Sequence, residues 1–231
     1  MDKVMRSLSG IELFDSLADS DRDGLARSCR WHRYSADQYI VGHQDETNDV
    51  YFIVDGRVHV TVFSPSGKEV SFADLPAGKS FGELSAIDAA PRSATVLALG
   101  DTVLASMPAA AFRRVLNDHP DVAAKMLQIL AGLVRKLLDR VVEFSVLAVR
   151  NRIQAELLRL ARDQGLDGDT AVITPVPTHA DIASRISTHR EAVTRELNAL
   201  ARAGVIERRD GALVIADVTR LAKLVETGLG E

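Results

Sequence analysis

Pro108 divides this chain into two textures, and that change restricts the fold more than any other feature. From about residue 31 to 107, short apolar, β-branched runs are separated by turn residues. Val50, Tyr51, Phe52, Ile53 and Val54 precede Asp55 and Gly56, and Val58, Val60, Val62 and Phe63 follow them. Asp and Gly both tolerate positive φ, so a two-residue hairpin is expected there. Ser64, Pro65, Ser66 and Gly67 mark another turn. Val70, Phe72 and Leu75 form a further strand that Pro76 and Gly78 stop, and residues 94–99 and 102–107 read as strands around Gly100 and Asp101. So many short strands predict a small antiparallel barrel or roll. Ahead of them, Ile11, Leu13, Phe14, Leu17 and Leu25 recur at near-helical spacing.

After Pro108 the apolar positions step by threes and fours. Residues 109–116 read as a short helix, and His119 and Pro120 open a long one, with proline where its missing N–H costs little. Met126, Leu130, Leu133, Leu137, Val141 and Phe144 make one stripe; Leu127, Val134, Leu138 and Val142 make a second beside it. Two stripes exceed what one roll can cover. One is expected to meet the roll and the other a second copy of the helix; full burial within a monomer is the alternative. Near 147–151 the chain enters a smaller domain, with a helix over 152–162 (Ile153, Leu157, Leu158 and Leu160 inward), a loop over 165–169 and a strand at Val172 and Ile173. The expected organisation is 1–118, 119–147 and 148–231.

The 231 residues leave room for two modest cores. A net charge of −4 excludes a wholly basic nucleic-acid coat but permits a local basic face. Cys29 is the single cysteine, which excludes an internal disulfide framework and a four-thiolate cluster. The opening Met1, Asp2, Lys3, Val4, Met5 and Arg6 lack a signal-peptide core, and no apolar run approaches the roughly 18–20 residues that span a bilayer. A cytoplasmic location without membrane attachment is expected. The six histidines show no metal-ligand spacing, so no metal is expected.

Two groups of residues carry chemistry. Phe81, Gly82, Glu83, Leu84 and Ser85, followed by Arg92 and Ser93, place a carboxylate, a guanidinium and a hydroxyl around a glycine-led turn. Glu83 can accept from a ribose 2′-hydroxyl, and Arg92 can fork onto a phosphate. Ser93 and the N–H groups after Gly82 can complete the phosphate shell. A cyclic nucleotide offers that set of groups.

The second group spans 178–215. Residues 178–186, the turn at Ser187 and Thr188, and 189–203 read as helix, turn, helix, with Ile182, Ala183, Ile186, Val193, Leu197 and Leu200 as shared core. Arg190, Glu191 and Arg195 fall within one arc of the second helix. Arginine reads guanine O6 and N7, and glutamate accepts from cytosine N4. Thr188 and Glu191 also have capping-box spacing, which leaves Glu191 two available uses. Residues 205–208 and 212–215 form a hairpin around Asp210 and Gly211, with Arg208 and Arg209 at its tip for phosphates.

Together these features resemble the CRP/FNR family of bacterial transcription regulators over nearly the whole chain. The motifs carrying the resemblance are the 81–85 run with Arg92, Ser93 and Ala94, and the run Arg190, Glu191, Ala192, Val193, Thr194, Arg195. The resemblance implies an α+β chain: an N-terminal antiparallel β-roll that binds cyclic nucleotides, a long dimerisation helix and a C-terminal winged helix-turn-helix. It implies that Gly82 and Glu83 hold the ribose and that Arg92 and Ser93 hold the phosphate of cAMP or cGMP. It implies that Arg190, Glu191 and Arg195 read half-sites of a palindrome like TGTGA…TCACA on double-stranded DNA. The homodimer would act through RNA polymerase, and the chain would not be an enzyme.

Two departures accompany the resemblance. His189 stands where the family usually has serine, as a phosphate contact or a helix start. Leu137 and Leu138 occupy the place of a Thr-Ser pair that contacts the purine across the dimer in cAMP-responsive members. Leucine offers no hydrogen bond, so relaxed base choice is expected, with cGMP competing with cAMP and Ser93 helping to read guanine. Arg135 and Lys136 are polar neighbours on the same helix. A haem, redox or other-ligand sensor on the same fold is the principal alternative, and a nucleotide-binding regulatory subunit a weaker one.

Overall fold

A computed structural model describes residues 7–64, 69–209 and 211–229. The described chain divides into two compact units. The first comprises the residues up to Ser64 and Ser71–Leu133; the second takes Val134 onward, with Glu69 and Val70.

The first unit begins with a 3-10 turn at Glu12–Phe14 and helix α1, Asp19–Ser28. Eight strands follow among the described residues: β1 Arg30–Tyr34, β2 Tyr39–Val41, β3 Val50–Asp55, β4 Arg57–Phe63, β5 Glu69–Pro76, β6 Ser80–Phe81, β7 Thr95–Ala98 and β8 Thr102–Met107. Helix α2, Glu83–Asp88, lies between β6 and β7, and α3, Ala109–Asp118, follows β8. The strands make two four-stranded sheets ordered β1-β8-β3-β6 and β2-β7-β4-β5, the topology of a double-sheet roll.

Period-two patterning explains the layering. On β3, Val50 and Phe52 face the helices and pack with Phe14, Phe112, Val122 and Met126, while Ile53 faces the roll interior with Val41, Val58, Phe81, Val96 and Leu104. The rings of Phe14 and Phe52 lie 4.9 Å apart.

The structure corrects the expectation for the Asp55 and Gly56 turn. That turn does not close a hairpin: β3 pairs with β6 and β8, while β4 pairs with β7 in the other sheet. Gly56, at φ +85°, is a corner where the chain changes sheets. A Cβ there would lie 2.5 Å from the Asp101 carbonyl oxygen and 2.6 Å from Thr102 Oγ1, so the site needs glycine for space as well as for conformation. The turn expected over 64–67 falls largely outside the described residues.

Helix α4 runs Pro120–Val146, opening on the expected proline. In its first turns Val122 and Met126 are buried, with Ile129 and Leu130 packed against the same core. From Leu133 onward its apolar residues are exposed, among them Val134, Leu138, Val141, Val142 and Val146.

The second unit continues with α5 Val149–Gln164, β9 Ala171–Ile173, α6 His179–Arg185, α7 Arg190–Arg202, β10 Ile206–Arg209, β11 Ala212–Ile215 and α8 Val218–Leu229. Strands β10 and β11 pair antiparallel as expected, Arg209 opposite Ala212, and β9 adds to β11. Asp210 of the expected turn lies outside the described residues. One core joins Ile153 and Leu157 of α5, Ile182 and Ile186, Val193, Leu197 and Leu200 of α7, and Leu221 of α8. Helix α8 is marked in the sequence by the three-and-four spacing of Leu221, Leu224 and Val225, a signal absent from the expectations above.

Candidate functional site

Strand β6 delivers the chain to Gly82, whose φ of +84° precedes α2. A Cβ on Gly82 would lie 2.5 Å from an Arg92 terminal nitrogen and 2.9 Å from the Asp49 carbonyl oxygen. Glycine therefore lets Arg92 pass directly beneath the turn. From α3, Arg113 donates to the Ala86 carbonyl at 2.6 Å and holds α2 in place. The returning segment is fixed when the Arg92 N–H donates to the Asp45 carbonyl at 2.9 Å.

Arg92 is only 2% exposed. Its Nε donates to Thr47 Oγ1 at 3.0 Å, one terminal nitrogen to the Gly82 carbonyl at 3.2 Å and the other to the Asp49 carbonyl at 2.8 Å. The guanidinium lies 5.7 Å from the Tyr51 ring centroid, and Tyr51 stacks on Phe81 at 5.0 Å. Sequence reasoning expected an open fork; the structure folds that fork onto the protein's own oxygens. Three of the five guanidinium N–H groups are accounted for by these bonds.

Glu83 is the opposite case. Its Oε2 is buried and has no hydrogen-bond partner among the described residues. Burial pushes the carboxyl above the ordinary carboxylate range, while its own backbone N–H and the Arg92 charge pull it down. A buried carboxylate oxygen without a donor is costly, so this atom fits a ligand hydroxyl. Gly82, Glu83 and Arg92 are thus brought together. Of their neighbours, Ser85 is buried, and Leu84 and Ser93 are exposed. Leu137 and Leu138 belong to the second unit and stand 44% and 59% exposed on α4.

In the second unit, α6 starts with a true capping box: Thr178 Oγ1 accepts the Asp181 N–H at 3.1 Å, and Asp181 accepts the Thr178 N–H at 2.8 Å. The alternative use of Glu191, a box with Thr188, is not formed. His189 is the N-cap of α7 and makes no side-chain cap bond, which puts Glu191 one position too early. Thr188 instead donates its N–H to the Ala183 carbonyl at 3.0 Å, within a turn where Ser187 takes φ +52°. Glu191 takes its own backbone N–H, which holds its carboxyl below the usual range, and Arg190 Nε at 3.1 Å.

Arg190, Glu191 and Arg195 are all exposed on α7. Thr194 is engaged internally: its hydroxyl donates to the Arg190 carbonyl at 2.9 Å and lies 2.7 Å from His179 Nδ1. His179 Nε2 lies 3.2 Å from an Arg208 terminal nitrogen. Arg208 has no acceptor lone pair, so it donates to Nε2, and Nδ1 carries the proton given to Thr194. His179 therefore joins β10 to the exposed helix, a role with no sequence signal, since its partners are distant in the chain. Arg209 pairs with Glu207 at 2.6 Å.

Sequence reasoning also missed an ionic cluster. Glu156, 1% exposed, faces Arg140 at 3.2 Å, Arg185 at 3.7 Å and Arg159. Arg159 binds both oxygens of Glu143, at 2.6 and 2.9 Å. Arg152 lies over the Phe144 ring at 5.1 Å and donates to the Ile186 carbonyl at 3.2 Å. The end of α4 is thus tied through α5 to the residue before the Ser187 turn. Among the described residues, no group of three His, Cys, Asp or Glu could hold a metal ion, and no helix is long and apolar enough to cross a membrane.

Residues 31–119 match the model of the cyclic nucleotide-binding domain, and residues 151–224 match that of the Crp-like helix-turn-helix domain. The chain is 30% identical to the cyclic AMP receptor protein of Thermus thermophilus over 220 residues, 94% of this chain and 98% of that one. It is 28% identical over 175 residues to the CRP-like cAMP-activated global transcriptional regulator of Mycobacterium tuberculosis, covering 75% and 78% of the two chains. Its fold superposes on a CooA mutant from Carboxydothermus hydrogenoformans with a TM-score of 0.81 and 24% identity, covering 96% and 99%. With a sensor domain, a long helix and a DNA-binding domain in that order, the chain belongs to the CRP/FNR family of transcription regulators.

Proposed function

We propose that this regulator is switched by a cyclic purine nucleotide, cAMP or cGMP, acting on a homodimer that binds palindromic TGTGA-like operators. One observation carries the ligand assignment: the buried, unpartnered Oε2 of Glu83 beside Gly82 and Arg92. A ribose 2′-hydroxyl supplies the donor that Glu83 lacks. A cyclic phosphate takes the remaining guanidinium N–H groups of Arg92, with Ser93 and the N–H groups after Gly82 completing its shell. Residues 1–118 act as the sensor and 148–231 as the DNA-binding part. The exposed stripe on α4 supports dimerisation through 119–147, because so much contiguous apolar surface favours a partner helix.

The exposed Arg190, Glu191 and Arg195 read base edges, and Arg208 and Arg209 meet phosphates. Thr188 and His189, at the start of α7, lie where backbone phosphates approach a helix N-terminus. Leu137 and Leu138 leave base choice relaxed, since neither carries a polar atom. The regulator works in the cytoplasm, through contacts with RNA polymerase. Fluorescence anisotropy on a labelled TGTGA-type duplex tests this, without nucleotide, with cAMP and with cGMP, at fixed salt. Tightening by either nucleotide is expected. Identical binding in all three conditions overturns the ligand assignment.

A further inference from the structure

Besides Glu83 Oε2, the first unit holds another buried side-chain oxygen without a hydrogen-bond partner among the described residues: Ser71 Oγ. Ser71 is 3% exposed. Its direction follows from strand geometry. On β5 it shares a period-two face with Ala73 and Leu75, and Leu75 packs into the roll interior with Val58, Val96 and Leu104. The alternate residues take the other face, where Phe72 is exposed and Asp74 pairs with His59 of β4 at 2.5 Å. Ser71 thus presents a hydroxyl to the interior from the β2-β7-β4-β5 sheet. Gly82 and Glu83 follow β6 of the facing sheet.

We propose that Ser71 is a specificity contact for the base edge of the bound cyclic purine nucleotide. The inference rests on the nucleotide reading above. There, the sugar and phosphate are taken by Glu83 and Arg92, and the ligand polar groups still to be matched are those of the base. A serine hydroxyl donates and accepts, so it can meet a 6-oxo or a 6-amino purine. Orphaned hydroxyls are rare in folded interiors because burial without a partner is costly. A ligand group in the same interior removes that cost. Polar base reading would then come from the roll, since Leu137 and Leu138 supply none.

Calorimetry on the full chain tests this with cAMP, cGMP and purine riboside 3′,5′-cyclic phosphate, which has hydrogen at C6. Wild type, Ser71→Ala and Ser71→Thr are compared, with nucleotide-free thermal unfolding of each. Ser71→Ala is expected to weaken the better-bound natural nucleotide about tenfold. It should leave the C6-hydrogen analogue within twofold and should not lower the nucleotide-free Tm, because it removes an unsatisfied hydroxyl. Ser71→Thr, which keeps the hydroxyl, is expected to retain the wild-type order of affinities. Equal loss for all three ligands, or no loss for any, overturns the assignment while leaving the nucleotide reading intact. Failure of wild type to bind any of them overturns both.

Discussion

Replacing Glu156 by glutamine keeps its shape and removes its charge. Glu156 is 1% exposed, and its arginine partners are 19%, 14% and 34% exposed for Arg140, Arg185 and Arg159. Removing one partner of a buried ion pair costs roughly 3–5 kcal/mol, because the other charge is left uncompensated. Arg159 lies at the wet end and keeps both bonds to Glu143, so it adds little to the penalty. Arg140, left with Glu143 at 3.7 Å, bears most of it, and burial already pulls its pKa down against the pull of Glu156. A loss of about 2–4 kcal/mol follows for the second unit. For a unit of roughly a hundred residues, about 1 kcal/mol moves Tm by some 4–8 °C, so a fall of about 10 °C or more is expected. Scanning calorimetry on the full chain is the assay. A second variant, Glu156→Gln with Arg140→Gln, should recover part of the loss, since it removes one stranded charge. A fall under about 2 °C, with no recovery in the double variant, would refute the reasoning and show the arginines to be as well solvated as surface charges.

Glu83→Gln should weaken nucleotide binding about tenfold or more, by loss of a charged acceptor, when read by calorimetry at pH 7. The raised Glu83 pKa fixes the sign of two pH effects: its ionised form destabilises the fold, so nucleotide-free Glu83→Gln should be at least as stable as wild type at neutral pH. As pH falls through the raised value, wild type should lose nucleotide affinity above the ordinary carboxylate range, and Glu83→Gln should not. Gly82→Ala meets an Arg92 nitrogen at 2.5 Å at φ +84°, so it should cost about 1–3 kcal/mol on thermal unfolding and abolish tight nucleotide binding. Arg195→Ala should cost about 1–3 kcal/mol on the best operator and relax base preference at one position, whereas Arg208→Ala should weaken all sequences alike and lower the salt slope by about one, both by anisotropy titration.

What was legible in the sequence was what local pattern encodes. Strand and helix periods gave the roll, the long helix and the helix-turn-helix, and the clustering of Gly82, Glu83 and Arg92 was readable because they lie close along the chain. Pairing was less legible. Asp55 and Gly56 carry a strong local hairpin signal, yet β3 takes β6 and β8 as neighbours, and nothing local announces them. Thr188 and Glu191 have the same spacing as Thr178 and Asp181, but only the second pair frames a helix start, because α7 begins two residues after Thr188. Ser71, Glu156 and His179 stayed hidden for a common reason: a polar residue inside a fold is defined by what surrounds it, and those surroundings come from distant segments.

The order of strands in the roll has a consequence for how the chain is made. Arg30 of β1 sits opposite Ser106 of β8, so the first strand of the roll has no partner until the last has been synthesised. Through most of translation the emerging chain therefore carries open strand edges and unburied Val, Ile and Phe, and folding of the roll waits on long-range loop closure. The second unit builds α6 with α7 and β10 with β11 from adjacent segments, and its nucleus can form within microseconds to milliseconds of emergence. The slow part of this molecule is thus the part made first, and any ligand that binds the closed roll acts on it only after that delay.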